Sequence, residues 1–158
     1  MTKEERNALL YKPQNGLDRI SAVEEAEMND YCEQYKAFLD VSKTERECVV
    51  SAIRLAEAKG FKPYTPGMAV APGDKLYYNN RGKAIMLIGQ KPLSEGANIG
   101  AAHTDAPRLD LKPNPLYEDA ELAYLKTHHY GGIRKYQWVT VPLELHGLVV
   151  RRDGSEVY

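Results

Sequence analysis

Ser21 with Glu24 and Ser42 with Glu45 form two Ser-x-x-Glu capping boxes, each ahead of a stretch whose apolar residues recur at mostly helical spacing. The first stretch carries Val23, Ala26, Tyr31, Tyr35, Phe38 and Leu39, and predicts a helix over 21–40. The second predicts a helix over 43–59, with Val49, Val50, Ile53, Leu55 and Ala56 on a buried face and Gly60 in the place of a C-cap glycine. A shorter helix over 4–12 precedes them, with Leu9 and Leu10 on its apolar side and Asn15-Gly16 as the break. Amphipathic helices need a layer to pack on, so the residues after Phe61 decide the fold.

Beyond Phe61 the chain changes character. Pro63, Pro66, Gly67, Pro72 and Gly73 punctuate a loop, and Lys75–Asn79 reads as a strand. Asn79-Asn80-Arg81-Gly82 is turn chemistry, and the run Ala84–Gly89 is apolar enough to predict a strand buried on both faces. A polar loop over 91–96 leads into a small-residue run, Ala97–Ala102, that predicts a buried strand ending at His103. Leu109 and Leu111 alternate with Arg108, Asp110 and Lys112 as a half-exposed strand would, with Pro113 and Pro115 expected to stop it. Residues 117–129 fit helix or strand equally. From Gln137 to Val150 the pattern is strongly β, and Asp153-Gly154 is a hairpin turn. Helices followed by short strands predict an α/β layer. The terminal hairpin has little chain left for its returning strand, so the chain is expected to be cut rather than finished, with an open edge over 137–158.

Composition excludes several classes of function. Lys and Arg number 21 against 22 Asp and Glu, a net charge of −1, and the basic residues are scattered. A nucleic-acid surface is not expected from that balance. No apolar run approaches the roughly 20 residues that cross a bilayer, and the charged N-terminus is no signal peptide, so a cytoplasmic location is expected. Cys32 and Cys48 have no CxxC spacing and are expected to be reduced and buried.

The candidate chemistry is concentrated at His103-Thr104-Asp105. Side chains two residues apart in extended backbone lie on one side, so the imidazole can hold a metal while the carboxylate orients or tunes it. His128 and His129 are adjacent, point opposite ways when extended and so cannot both chelate, and read as surface or interface residues. His146 reads as a packed strand residue, and Tyr130-Gly131-Gly132 as a plain turn, with a close approach of the backbone to a ligand or neighbouring subunit as the alternative. No phosphate loop, Gly-x-Ser-x-Gly elbow or reactive-cysteine context is present.

The stretch from Gly100 through His103-Thr104-Asp105-Ala106-Pro107-Arg108-Leu109-Asp110-Leu111-Lys112 to Pro113 resembles the M18 family of zinc aminopeptidases, which includes relatives of aspartyl aminopeptidase and vacuolar aminopeptidase I. Tyr130-Gly131-Gly132, Trp138, Leu145–Val150 and Asp153-Gly154 resemble the next block of that family. The resemblance implies the N-terminal part of a di-zinc catalytic domain over 1–108, helices packed on a mixed sheet, followed by the start of a β-rich insert over 109–158. It implies His103 as a ligand of one of two Zn2+ ions and Asp105 as the catalytic companion carboxylate. It also implies peptide substrates, often with acidic N-terminal residues, and homo-oligomers formed through the insert. The family's bridging carboxylate, glutamate pair, further carboxylate and closing histidine are expected beyond residue 158, so the chain alone is expected to be inactive. The alternative is a non-enzymatic fragment that associates with full-length homologues through its partial insert.

Overall fold

The structure, a computed structural model, describes residues 1–89 and 91–158. They form two compact units, Met1–Leu39 and Asp40–Tyr158.

The first unit is helical. Helix α1 spans Lys3–Leu9, a 3-10 turn spans Gly16–Arg19, and α2 spans Ala22–Asp40 into the start of the second unit. The Ser21 box forms as expected: the Glu24 amide donates to Ser21 Oγ at 3.3 Å and the Ser21 amide to Glu24 Oε2 at 2.7 Å. Along α2, Gln34 donates to Asp30 at 2.6 Å and Lys36 pairs with Glu33 at 2.5 Å, the local pairs that support a solvated helix. The apolar stripe is not buried, however. No residue of α1 or α2 is buried, and Cys32 is exposed, contrary to expectation. The cap and helix-favouring side chains hold the helix without a packed face.

In the second unit α3 spans Glu45–Ala58. Its box is Thr44 with Glu47, not Ser42 with Glu45: the Glu47 amide donates to Thr44 Oγ1 at 3.3 Å and the Thr44 amide to Glu47 Oε2 at 2.9 Å. The two patterns overlap, and Thr44 is the residue whose extended backbone turns the chain into the helix. Ser42 Oγ is left buried, with no hydrogen-bond partner among the described residues. The far end closes as expected, with Gly60 at φ 83°, its amide on Glu57 O and the Phe61 amide on Ala56 O, the two bonds of a Schellman cap.

Strands β1 (Lys62–Pro63), β2 (Leu76–Asn80) and β3 (Ala84–Ile88) form a mixed sheet, β1 parallel and β3 antiparallel to β2. Helix α3 packs on β2 and β3. Among the described residues the buried apolar side chains are Val49 and Ala56 from the helix and Leu76 and Tyr77 from the sheet, with Ser51 buried beside them. The Tyr77 hydroxyl ties the layers by donating to Glu57 at 2.8 Å. Val50 and Leu55, expected inside, face out on the far side of α3. Strand β3 is likewise exposed at Met86, Leu87 and Ile88 rather than buried on both faces, because it is an edge strand and Ile85 alone is half-buried.

Two expected strands do not form. Residues 97–102 run irregular and exposed into His103, since their small side chains bury little and no described strand pairs with them. Residues 137–148 give the short helix α4 (Lys135–Trp138) and irregular chain, and Val139 and Leu145 are exposed. The terminal hairpin is present but small, β6 (Val149–Val150) with β7 (Glu156–Val157), turned at Gly154 with φ 83°.

The longest ladder is unexpected in extent. Strand β4 runs Arg108–Asp119 and pairs antiparallel with β5, Leu122–Tyr130, which settles the ambiguous stretch as strand. Pro113 and Pro115 do not stop β4. The register slips between Leu111 and Leu116, so both prolines, which lack the N–H, fall where the ladder is interrupted.

Candidate metal centre

The irregular segment before β4 ends in a dense set of polar contacts. His103 Nδ1 is hydrogen-bonded to Asp105 Oδ1, so the pairing expected from the period-two argument is made although no ladder holds the segment. The other carboxylate oxygen, Asp105 Oδ2, accepts from Arg108 Nη1 at 3.0 Å. Arg108 Nε donates to Asp110 Oδ1 at 2.7 Å, and the guanidinium lies 4.3 Å from the centroid of the Tyr130 ring. Tyr130 is the partner of Arg108 in the β4–β5 register.

Exposure separates the two members of the motif. The Asp105 side chain is 11% exposed and that of His103 is 80% exposed. The imidazole therefore presents Nε2 to solvent while Nδ1 is turned to the carboxylate. His103, Asp105, Arg108 and Tyr130 line an open concavity of about 470 Å³ together with Lys83 and Glu45.

The charges follow these contacts. The Arg108 guanidinium, and after it the hydrogen bond with His103, hold the Asp105 carboxyl below its ordinary 3.8 against the opposing effect of burial. Burial pushes Arg108 down, but Asp105 and Asp110 outweigh it and the net shift is upward. Asp105, as hydrogen-bond partner and negative charge, pushes the Tyr130 phenol up. Cys48, half-buried rather than buried, has its thiol pushed up by burial first and Asp105 second, which keeps it protonated and a poor nucleophile.

An imidazole with Nδ1 on a carboxylate and Nε2 free is the arrangement of a metal-ligating histidine. A complete zinc site needs three or four such ligands. Among the described residues no group of three or more His, Cys, Asp or Glu stands together as a metal site. The residues present fit one corner of a zinc centre, not a whole one.

The other histidines lie elsewhere. His128 and His129 are exposed on β5, as expected, and His128 Nε2 stands 3.9 Å from Asp110 Oδ2. His146 is not in a strand. It bridges two carboxylates, Nδ1 to Glu47 Oε1 at 2.9 Å and Nε2 to Glu144 Oε2 at 3.0 Å. Gly131 has φ 74°, and a Cβ there would meet Pro107 at 3.3 Å, so this glycine lies against the segment that carries Asp105, a contact within the chain that the sequence reading did not consider. Sequence reasoning missed Arg108 and Tyr130 as members of the site. Their signal was a guanidinium spaced to reach carboxylates on both sides, Asp105 and Asp110.

Residues 38–158 match the family described as Aminopeptidase I zinc metalloprotease (M18). The chain belongs to the M18 family. It is 47% identical over 157 residues to the probable M18 family aminopeptidase 1 of Clostridium acetobutylicum, covering 96% of this chain and 34% of that protein. Among solved structures, aminopeptidase I from Borrelia burgdorferi B31 matches with a TM-score of 0.82 and 39% identity, over 91% of this chain and 36% of that one. The M18 aminopeptidase from Thermotoga maritima matches with a TM-score of 0.82 and 38% identity, over 94% of this chain and 32% of that one. The mixed α/β architecture is that of M18 structures, and this chain spans about a third of the length of these relatives.

Proposed function

We propose that this chain supplies one corner of the metal centre of an M18 aminopeptidase, with His103 as ligand and Asp105 as the carboxylate that orients it. The observation that carries the reading is the His103–Asp105 bond, which turns Nδ1 to the carboxylate and leaves Nε2 open to the concavity. When bound, a pair of zinc ions in such a centre polarises the scissile carbonyl and lowers the pKa of an attacking water. Asp105 fixes the Nδ1 proton and so keeps Nε2 unprotonated for the metal. The reaction is the removal of N-terminal residues, often acidic, from peptides. The whole protein is read as cytoplasmic and homo-oligomeric, with a catalytic part through residue 108 and a β-rich insert beginning at 109.

A single imidazole with one carboxylate beside it holds zinc far more weakly than a complete site. The 158-residue chain by itself is therefore expected to show no turnover on aminoacyl chromogenic substrates with added zinc, cobalt or manganese; metal-dependent turnover by it alone would overturn that expectation. The ligand assignment is tested by placing this chain in the matching third of the Clostridium acetobutylicum protein. In that chimera His103→Ala is expected to abolish activity and reduce bound zinc, and Asp105→Ala to weaken zinc roughly 10- to 100-fold. Full zinc content and activity in the His103 variant would refute the assignment.

A further inference from the structure

Arg108 is the residue on which the other contacts converge. Its Nη1 reaches Asp105 at 3.0 Å, its Nε reaches Asp110 at 2.7 Å, and its guanidinium stacks over Tyr130 at 4.3 Å. Two carboxylates and a ring fix all three rotations of a planar fork. Asp105 in turn divides its oxygens, Oδ2 to Arg108 and Oδ1 to the imidazole of His103. A carboxylate with one oxygen anchored cannot rotate about its terminal bond without breaking the anchor, whereas that torsion is otherwise broad. The imidazole itself is mostly in solvent, and among the described residues its hydrogen bond is to Asp105 alone.

We propose that Arg108 is the positioning residue of the His103–Asp105 pair, held in place by Asp110 and Tyr130. This rests on the reading of His103 as a ligand, because a fixed ring plane and tautomer matter only to a ligating nitrogen. The base of the β4–β5 hairpin is then the anchor of the metal corner. Arg108 and Asp110 begin β4, Tyr130 ends β5 directly across from Arg108, and Gly131 lies against Pro107 between the two halves of the network. The contacts join residues on both sides of the proposed boundary at 108.

The test reads the tautomer of His103 without metal. In a chain labelled with nitrogen-15 at histidine, long-range proton–nitrogen spectra in alkaline buffer distinguish the Nδ1–H from the Nε2–H form, and His103→Gln assigns the signal. The wild-type chain is expected to hold the Nδ1–H form. Arg108→Gln is expected to lower the ratio of Nδ1–H to Nε2–H by about threefold or more, since the tautomer follows the bond the other nitrogen makes. Arg108→Lys is expected not to restore it, because an ammonium cannot bridge both carboxylates while stacking. A wild-type ratio in Arg108→Gln, or full rescue by lysine, would overturn the proposal. If Arg108→Gln unfolds, Asp110→Ala decides: it removes the acceptor of the Arg108 Nε bond, and an unchanged ratio there overturns the proposal equally. Because the chain alone holds zinc weakly, the ligand reading is decided in the Clostridium acetobutylicum chimera: full zinc content in its His103→Ala variant would refute that reading and leave the tautomer result standing.

Discussion

His146 is gripped from both sides, by Glu47 at 2.9 Å and Glu144 at 3.0 Å, and both ring nitrogens can donate only when the ring is protonated. The hydrogen bond with Glu47, and then that with Glu144, raise its pKa above the ordinary 6.5. For Glu47 burial acts upward, but the bonds from His146 and Thr44 outweigh it and the carboxyl falls below 4.5. A raised histidine contributes stability that is complete below its unfolded value and lost as pH rises through the folded one. A lowered carboxylate contributes above its unfolded value and loses that as pH falls. The clamp is therefore strongest between about pH 4.5 and 6.5. Denaturant midpoints of the wild type are expected to fall as pH rises above that window, and His146→Gln to flatten the slope; equal slopes would mean that the clamp adds no stability. Nothing near His146 in sequence announces the contact with Glu47, because that carboxylate arrives from the N-terminus of α3. His103 and Asp105 were legible because two residues of local backbone suffice to bring them together. The Arg108 contacts with Asp105 and Asp110 are local too and went unread, while the stacking of Arg108 on Tyr130 depends on a cross-strand register that only the folded hairpin supplies.

At the level of elements, the caps of α3 make opposed expectations for two neighbouring hydroxyls. Thr44→Ala deletes the cap and is expected to cost about 1 kcal/mol. Ser42→Ala removes a buried hydroxyl that has no partner among the described residues and is expected to be neutral or stabilising. Thermal unfolding of both variants checks the pair, and the reverse order would mean that Ser42 is the true cap. The β4–β5 turn offers the second case. Ala120 and Glu121 both adopt positive φ, 48° and 62°, which a two-residue hairpin requires and which L side chains resist. Replacing them together by Asn and Gly (Ala120→Asn with Glu121→Gly) is expected to stabilise the hairpin by about 1 kcal/mol, read as a shift of the denaturant midpoint. The same turn shows why β5 was illegible: its residues carry none of the usual turn signals. The Ser21 box and the Gly60 end were legible because a cap is a contact between residues close in sequence, whereas at the start of α3 two overlapping patterns competed and Thr44, not Ser42, is the cap. The strands over 97–102 and 137–148 were misread because a β pattern states a preference, while a strand exists only where a ladder partner does.

For the chain as a whole, apolar surface is the unresolved demand. The α2 face keeps Val23 and Tyr31 exposed, the hairpin keeps Leu116 and Leu125 exposed, and the later segment keeps Val139 and Leu145 exposed. Such surface is normally covered by further chain or by a partner. The 158-residue chain alone is expected to bind a hydrophobic dye and to sediment with a concentration-dependent mass, and a clean monomer without dye binding would count against this. The hairpin has one more consequence. At about 3.3 Å per residue its longer strand is an arm of roughly 40 Å, with the imidazole's anchor at one end and the Ala120 turn at the other. Between Leu111 and Leu116 the rungs are missing, and a bulged ladder bends more readily than a paired one. A hairpin bent at this interruption is expected to flex there first, between the Ala120 turn and Arg108.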